Sequence, residues 1–209
     1  MYLYTTVKQQ AEYSLVEKKS EFIGYCAPVR TEPEAVAFVE SIRKKHSGAR
    51  HNVFAYLLRG NSISRYSDDG EPHGTAGVPV LDVIRKAGVV DCCVVVTRYF
   101  GGILLGTGGL LRAYTAAASG ALESAGVAKV GLFDILECTM SYADYQKLIP
   151  LVASRGGSVD DSTFADEVVL RVSVLAESSQ ALAAAIVDCT NGRVKPKKTG
   201  EKCDFFGNL

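Results

Sequence analysis

The 209-residue sequence has no excess of charge of either sign, since 23 Lys and Arg face 23 Asp and Glu. That excludes a histone-like nucleic-acid binder, whose whole surface must be basic, while a local basic face stays open. No run approaches the ~18 consecutive apolar residues that a membrane-spanning helix needs. The opening Met-Tyr-Leu-Tyr-Thr-Thr-Val has neither the basic nor the apolar region of a secretory leader. A soluble, cytoplasmic chain with no membrane partner is the expectation. Paired cysteine spacings are missing too: Cys26, Cys92, Cys93, Cys138, Cys189 and Cys203 form no C-x-x-C. Metal and disulfide frameworks depend on such pairs, so these thiols are expected to be reduced and mostly buried. What is present is ordinary for a globular chain, with 47% hydrophobic and 22% charged residues. The length leaves room for two domains of about 100 residues.

The composition shifts near residue 127, which predicts a first domain over 1–127 and a second over 128–209. Charge does not separate them, because residues 1–126 carry 14 cations against 12 anions and the remainder 9 against 11. In the first part, 11–17, 21–29, 51–59 and 62–67 read as strands, 51–59 being covered on both faces. Thr31-Glu32-Pro33-Glu34 starts a helix, with Thr31 as cap and Glu34 closing a capping box. Its buried face is predicted to be Val36, Val39 and Ile42. A helix over 76–87 precedes a central strand at Cys92–Val96, and a helix from about Gly108 to Ala125 presents Leu111, Tyr114, Ala118, Ala121 and Leu122. Together these make an α/β sandwich on a mixed sheet.

In the second part a strand at 129–138 leads to a helix capped by Ser141 with an inward stripe of Tyr142, Tyr145, Ile149 and Val152. Strands at 158–164 and 167–175, a helix at 179–190 burying Leu182, Ile186 and Cys189, and a strand at 193–199 follow. The order βαββαβ is the ferredoxin-like unit. The fold class is therefore α+β, two α/β-sandwich domains in tandem.

Two segments concentrate chemistry-bearing residues: Tyr66 to Pro79 and Val96 to Tyr114. Gly101 to Gly106 has phosphate-loop spacing between a strand and a helix. However, Thr107 and Gly108 stand where Lys and Ser or Thr must be, so the essential cation is missing. A dinucleotide fingerprint fails because Leu111 occupies its third glycine position. No cofactor is implied. A more general anion surface remains: Gly101, Gly102, Gly106, Gly108 and Gly109 would let backbone N–H groups approach an oxyanion. Arg98 and Arg112 would add phosphate contacts, and Tyr99, Phe100 and Tyr114 stacking faces. The alternative is that the glycines permit a tight turn and the arginines pair with Asp68, Asp69 or Glu71.

Asp68, Asp69, Glu71 and His73 fall within six residues, enough for an oxygen-rich divalent site or an acid–base pair of Asp69 and His73. Asp-Asp-Gly is also ordinary turn chemistry, and no second His–carboxylate cluster completes a site. The acidic segment, with Thr75, is expected to order the neighbouring loop and not to hold metal. Lys195, Lys197 and Lys198 crowd the C-terminal strand and could track a phosphate backbone.

Ser67-Asp68-Asp69-Gly70-Glu71-Pro72-x-Gly74-Thr75-Ala76-Gly77-x-Pro79, followed by Val95-Val96-Thr97-Arg98-Tyr99-Phe100-Gly101-Gly102-x-x-Leu105-Gly106-x-Gly108-Gly109-Leu110-x-Arg112-Ala113-Tyr114, resembles the signature of the IMPACT family, in its bacterial two-domain branch. The likeness is strong over 18–126. It implies a first domain similar to the second domain of small-subunit ribosomal protein five and to domain IV of elongation factor G, and a ferredoxin-like second domain. Eukaryotic relatives act in translational control by binding the activator of a starvation-responsive kinase. Those relatives carry an added N-terminal protein-binding domain, and a signature starting near Lys18 leaves no expected place for it. The family implies no catalytic residues. A non-catalytic, translation-linked regulator that binds RNA, the ribosome or a translation factor is expected, with Arg98, Tyr99, the 101–109 loop and Arg112 as its surface. An enzyme or nucleotide binder at the same cleft and a pure protein-interaction module are the alternatives.

Overall fold

The structure is a computed structural model and describes residues 2–206. It divides into two units, Tyr4–Lys129 and Val130–Phe206, the second joined by Tyr2 and Leu3. The chain opens with β1 (Tyr2–Val7), a strand that the sequence reading did not anticipate. In the first unit β2 (Ala11–Glu17) turns into β3 (Ser20–Pro28), then α1 (Glu32–Lys45), β4 (His51–Leu58) and β5 (Ile63–Ser67) follow. After them come α2 (Gly77–Lys86), β6 (Cys92–Tyr99) and α3 (Thr107–Ala125).

The sheet order is β2-β3-β6-β4-β5 and every neighbouring pair is antiparallel, so the expected mixed sheet is corrected. β3 and β4 do run parallel across α1, as a crossover requires, but β6 inserts between them. In the same way β4 lies between β5 and β6. Both crossovers skip one strand, and the skipped strand reverses the pairing.

The apolar run in β6 is explained by layers on both faces. Cys92, Val94 and Val96 face a core shared with α2 and α3, while Cys93 and Val95 face α1. Thr31 caps α1 by accepting the Glu34 N–H, and Glu34 in turn accepts the N–H of Arg30. The face α1 buries is Ala35, Val39 and Ile42; Val36, expected inside, is exposed. In α3, Tyr114, Ala118, Ala121 and Leu122 are buried as read, whereas Leu111 is exposed.

The second unit runs β7 (Val127–Met140), α4 (Tyr142–Ser154), β8 (Ser158–Phe164), β9 (Val168–Leu175), α5 (Ser179–Cys189) and β10 (Lys197–Phe206). The strand order β10-β7-β9-β8 is that of the ferredoxin-like βαββαβ unit. β1, whose first residues belong here, also pairs with β7. Ser141 caps α4 by accepting the Asp144 N–H. The helix buries Asp144, Leu148 and Val152; of the expected stripe, Val152 is buried, Tyr145 and Ile149 are half-buried against the same core, and Tyr142 is exposed. Cys189 is exposed rather than inward, and the last strand lies at 197–206 rather than 193–199. Four of the cysteines are buried, Cys189 and Cys203 are exposed, and all are free thiols.

Candidate functional site

The acidic segment between β5 and α2 turns its carboxylates in three directions. Asp68 accepts the N–H groups of Gly74 (2.9 Å), Ala76 (3.1 Å) and Gly77 (2.7 Å), closing the loop onto the first turn of α2. Burial pushes its pKa up, but these N–H groups outweigh that and hold it below the ordinary 3.8. Asp69 has a left-handed backbone, φ 45°, and points the other way. One of its oxygens takes the Arg43 guanidinium at 2.9 Å and the other the Asn52 N–H at 2.7 Å. Thr75 donates to the Pro72 carbonyl at 2.7 Å, pinning the exit. His73 is out in solvent, its side chain 96% exposed and 3.7 Å from Asp68. Among the described residues, no three His, Cys, Asp or Glu side chains gather as a metal site.

Glu71 turns inward. Its Oε1 accepts hydrogen bonds at 2.7 Å from both Arg98 Nη1 and the Tyr114 hydroxyl, all three side chains being buried. Burial, then the Glu71 charge, pushes the Tyr114 phenol far above its usual range, so it stays a donor. Tyr114 is fully buried and edge-on to Phe22 at 5.2 Å. The stacking face expected of it is therefore closed to any base. The Arg98 guanidinium lies between Phe22 and Phe100, and its Nε has no hydrogen-bond partner. His51, which in the sequence stands only at the end of the basic stretch from Arg43 to Arg50, completes the cluster. Its Nδ1–H donates to the Asp69 carbonyl at 2.9 Å, because a carbonyl can only accept, and its Nε2 lies 3.9 Å from Glu71 Oε1.

Tyr99 ends β6 with its hydroxyl 2.9 Å from His46 Nδ1, whose Nε2 lies 2.7 Å from the Tyr25 hydroxyl. The chain then leaves the sheet as the glycine-rich loop. Gly101 is obligatory: a Cβ there would lie 2.0 Å from the Lys19 carbonyl, and its N–H donates to Ser20 Oγ at 3.1 Å. Gly106 caps α3 at φ 74° with no side-chain bond, and Gly108 and Gly109 lie in the first turn of α3. Between these anchors Gly102, Ile103 and Leu104 face solvent, Leu104 being 82% exposed, and the Phe100 ring beside them is 49% exposed.

Cations border this loop on two sides. The β2–β3 turn is Lys18-Lys19, both at positive φ (45° and 64°), a type I′ geometry that ordinarily selects Asn and Gly. Lys18 and Arg112 line a cavity of about 380 Å³ with Leu15 and Leu105. On the other side Arg50, His51, Arg98, Phe100 and Leu104 line one of about 250 Å³. Lys18, Lys19, Arg50 and Arg112 are exposed, and no ion pair is recorded for them among the described residues.

The C-terminal cations are placed differently. Lys198 bridges the buried Asp134 (2.8 Å) and Glu201 (2.6 Å), Lys202 bonds Asp160, and Arg193 bonds Asp144. Lys195 and Lys197 remain exposed.

The first unit thus defines a class of protein: an α/β domain with a buried Glu–Arg–Tyr cluster beneath an exposed apolar and cationic loop. The family model for the Impact N-terminal domain matches residues 18–122, and that for a domain of unknown function, DUF1949, matches 138–193. The IMPACT family member YvyE of Bacillus subtilis is 38% identical over 194 residues, 92% of this chain and 89% of that one. The member YigZ of Escherichia coli is 36% identical, over 85% and 89% of the two chains. Protein IMPACT of Oryctolagus cuniculus is 36% identical over 44% of this chain and 30% of its own length. A crystal structure of a hypothetical protein superposes with a TM-score of 0.60 at 31% identity, covering 96% of this chain and 98% of that one. The chain belongs to the IMPACT family.

Proposed function

We propose that this protein is a cytoplasmic, non-catalytic regulator linked to translation that binds structured or ribosomal RNA through the loop 100–106 and the cations beside it. Membership of the IMPACT family supports a translation-related regulator at the level of the family. The carrying observation is that Gly101 packs backbone to backbone on Lys19, which joins the lysine turn and the exposed loop into one surface. Lys18, Lys19, Arg50 and Arg112 supply phosphate contacts and Phe100 a stacking face. Arg98 acts from below: buried and bound to Glu71, it fixes the end of β6 from which the loop departs.

Two lysines in a turn that favours Asn and Gly is a local cost without a packing return, and such strain gathers at functional sites. Co-sedimentation with ribosomes tests the reading. Binding that falls with salt and with nuclease is the expected result. The exposed Ile103 and Leu104 favour a second reading, a protein partner in translation control, which predicts co-sedimentation that survives nuclease. No association even at low salt would remove both.

A further inference from the structure

The 250 Å³ cavity beside the loop brings together a buried arginine, an exposed arginine, a histidine and an aromatic ring. Its floor is Arg98, 6% exposed, with Nη1 held by Glu71 and Nε without any partner. A buried guanidinium nitrogen left unsatisfied loses its hydration without replacement, a condition native interiors rarely tolerate; Nε itself is closed to solvent, and the small remaining exposed edge of Arg98 is what faces the cavity. Its wall is Arg50, exposed and free of a recorded acidic partner among the described residues, together with the His51 ring, held in place by the Asp69 carbonyl. Its rim is the half-exposed Phe100 ring and Leu104. Glu71 balances Arg98 and Asp69 balances Arg43, so Arg50 is the uncompensated charge at the cavity. The cavity therefore carries a net positive charge on a desolvated base under an aromatic lip.

We propose that this cavity is a seat for a terminal phosphomonoester, the 5′-phosphate of a nucleotide whose base lies on Phe100. The choice of a nucleotide as the bearer of the phosphate rests on the RNA reading above. The recessed floor decides between a terminal phosphate and one within a strand. An internal phosphodiester is flanked by two sugars and runs along a surface, so Phe100 and Leu104 keep it from Arg98. A terminal phosphate hangs on a single ester bond and presents three oxygens, enough to meet the Arg98 edge and Arg50 together. The volume is below the ~300 Å³ at which pockets enclose a whole small-molecule ligand, which fits a phosphate inside and a base outside.

The test uses the full chain and two octaribonucleotides labelled at the 3′ end, one with a 5′-phosphate and one with a 5′-hydroxyl. The phosphorylated strand binds about tenfold tighter by fluorescence anisotropy, the worth of one charge-assisted contact. Arg50→Ala, on the surface, and Arg98→Lys, which keeps the charge opposite Glu71 but loses the fork, each bring that ratio close to one. Adenosine monophosphate competes where adenosine does not, and it shifts the Arg98 Nε–H resonance. Equal, salt-sensitive affinity for both strands overturns the seat and leaves the RNA reading standing. If neither strand binds but the monophosphate moves the Arg98 signal, the seat stands for free nucleotides and not for a strand end. If the monophosphate is also silent, the seat falls, and ribosome co-sedimentation alone decides the RNA reading.

Discussion

The acidic segment and the glycine-rich loop lie side by side in the first unit, and the signature weights them equally. Every carboxylate from Asp68 to Glu71 has an internal partner: backbone N–H groups for Asp68, Arg43 and Asn52 for Asp69, Arg98 and Tyr114 for Glu71. The loop from Phe100 to Gly106 is the reverse. Its ends are fixed, by Gly101 on the Lys19 backbone and by Leu105 in the core, while Ile103 and Leu104 touch solvent. The difference is that the first segment is a foundation and the second is what it supports. Charged residues in a tight cluster need not face a ligand, and apolar residues in a loop need not be buried.

That contrast predicts a graded series. The largest effect belongs to Glu71→Ala, which strands the Arg98 charge in a dry site. Removing one partner of such a pair costs about 3–5 kcal/mol, read as a lower midpoint in denaturant for the first unit. Glu71→Gln, which keeps the acceptor, should fall between that variant and the native chain. A native-like midpoint for Glu71→Ala would refute the foundation role.

Asp68→Ala comes next, at about 1–3 kcal/mol for a lost cap and its unsatisfied N–H groups. Because the folded pKa of Asp68 lies below the ordinary 3.8, its contribution is complete above that value and is lost as pH falls through the depressed one. Stability of Asp68→Asn should therefore decline less than that of the native chain on acidification below about pH 4.

A smaller change of opposite sign is expected for the double substitution Lys18→Asn, Lys19→Gly. Both residues sit at positive φ, so the Asn-Gly turn should raise stability by a few tenths of a kcal/mol. The same chain should sediment less with ribosomes, and a stabilised variant that binds normally would take the lysine turn out of the surface. The smallest effect on stability is Leu104→Asp, within about 0.5 kcal/mol as for other exposed sites. Its cost should appear in ribosome association alone, as seen by comparing pellet fractions at matched thermal midpoints.

The local elements were legible because their signals are local. Thr31 and Ser141 cap the helices they were expected to cap, and the alternation of 53, 55, 57 against 54, 56, 58 gave a strand buried on both faces. The errors lie where a helix chooses its face. Ala35 rather than Val36 meets the sheet because α1 packs through its smaller side chain, and in α4 the buried position goes to Asp144, held by Ser141 and Arg193. Arg98 was legible as important, with phosphate contact and pairing to Asp68, Asp69 or Glu71 both open: its spacing shows a cation before a glycine loop, and only the structure shows that Glu71 takes it into the interior. The strands read at 11–17 and 21–29 left residues 18–20 between them, but nothing in two lysines announces a two-residue turn.

The sequence by itself determined the helices and all the strands except β1, with the last strand misplaced, together with the ferredoxin-like order of the second half and membership of the IMPACT family. These depend on periodicity, caps and motif spacing, which act over a few residues. Only the tertiary structure decided that the first sheet is wholly antiparallel, that Glu71, Arg98 and Tyr114 share one buried contact, and that Arg50 and Arg98 line one cavity. The last two join residues 27 to 48 positions apart, and which of many carboxylates a buried arginine meets is settled by how the strands align, not by any neighbour in the chain.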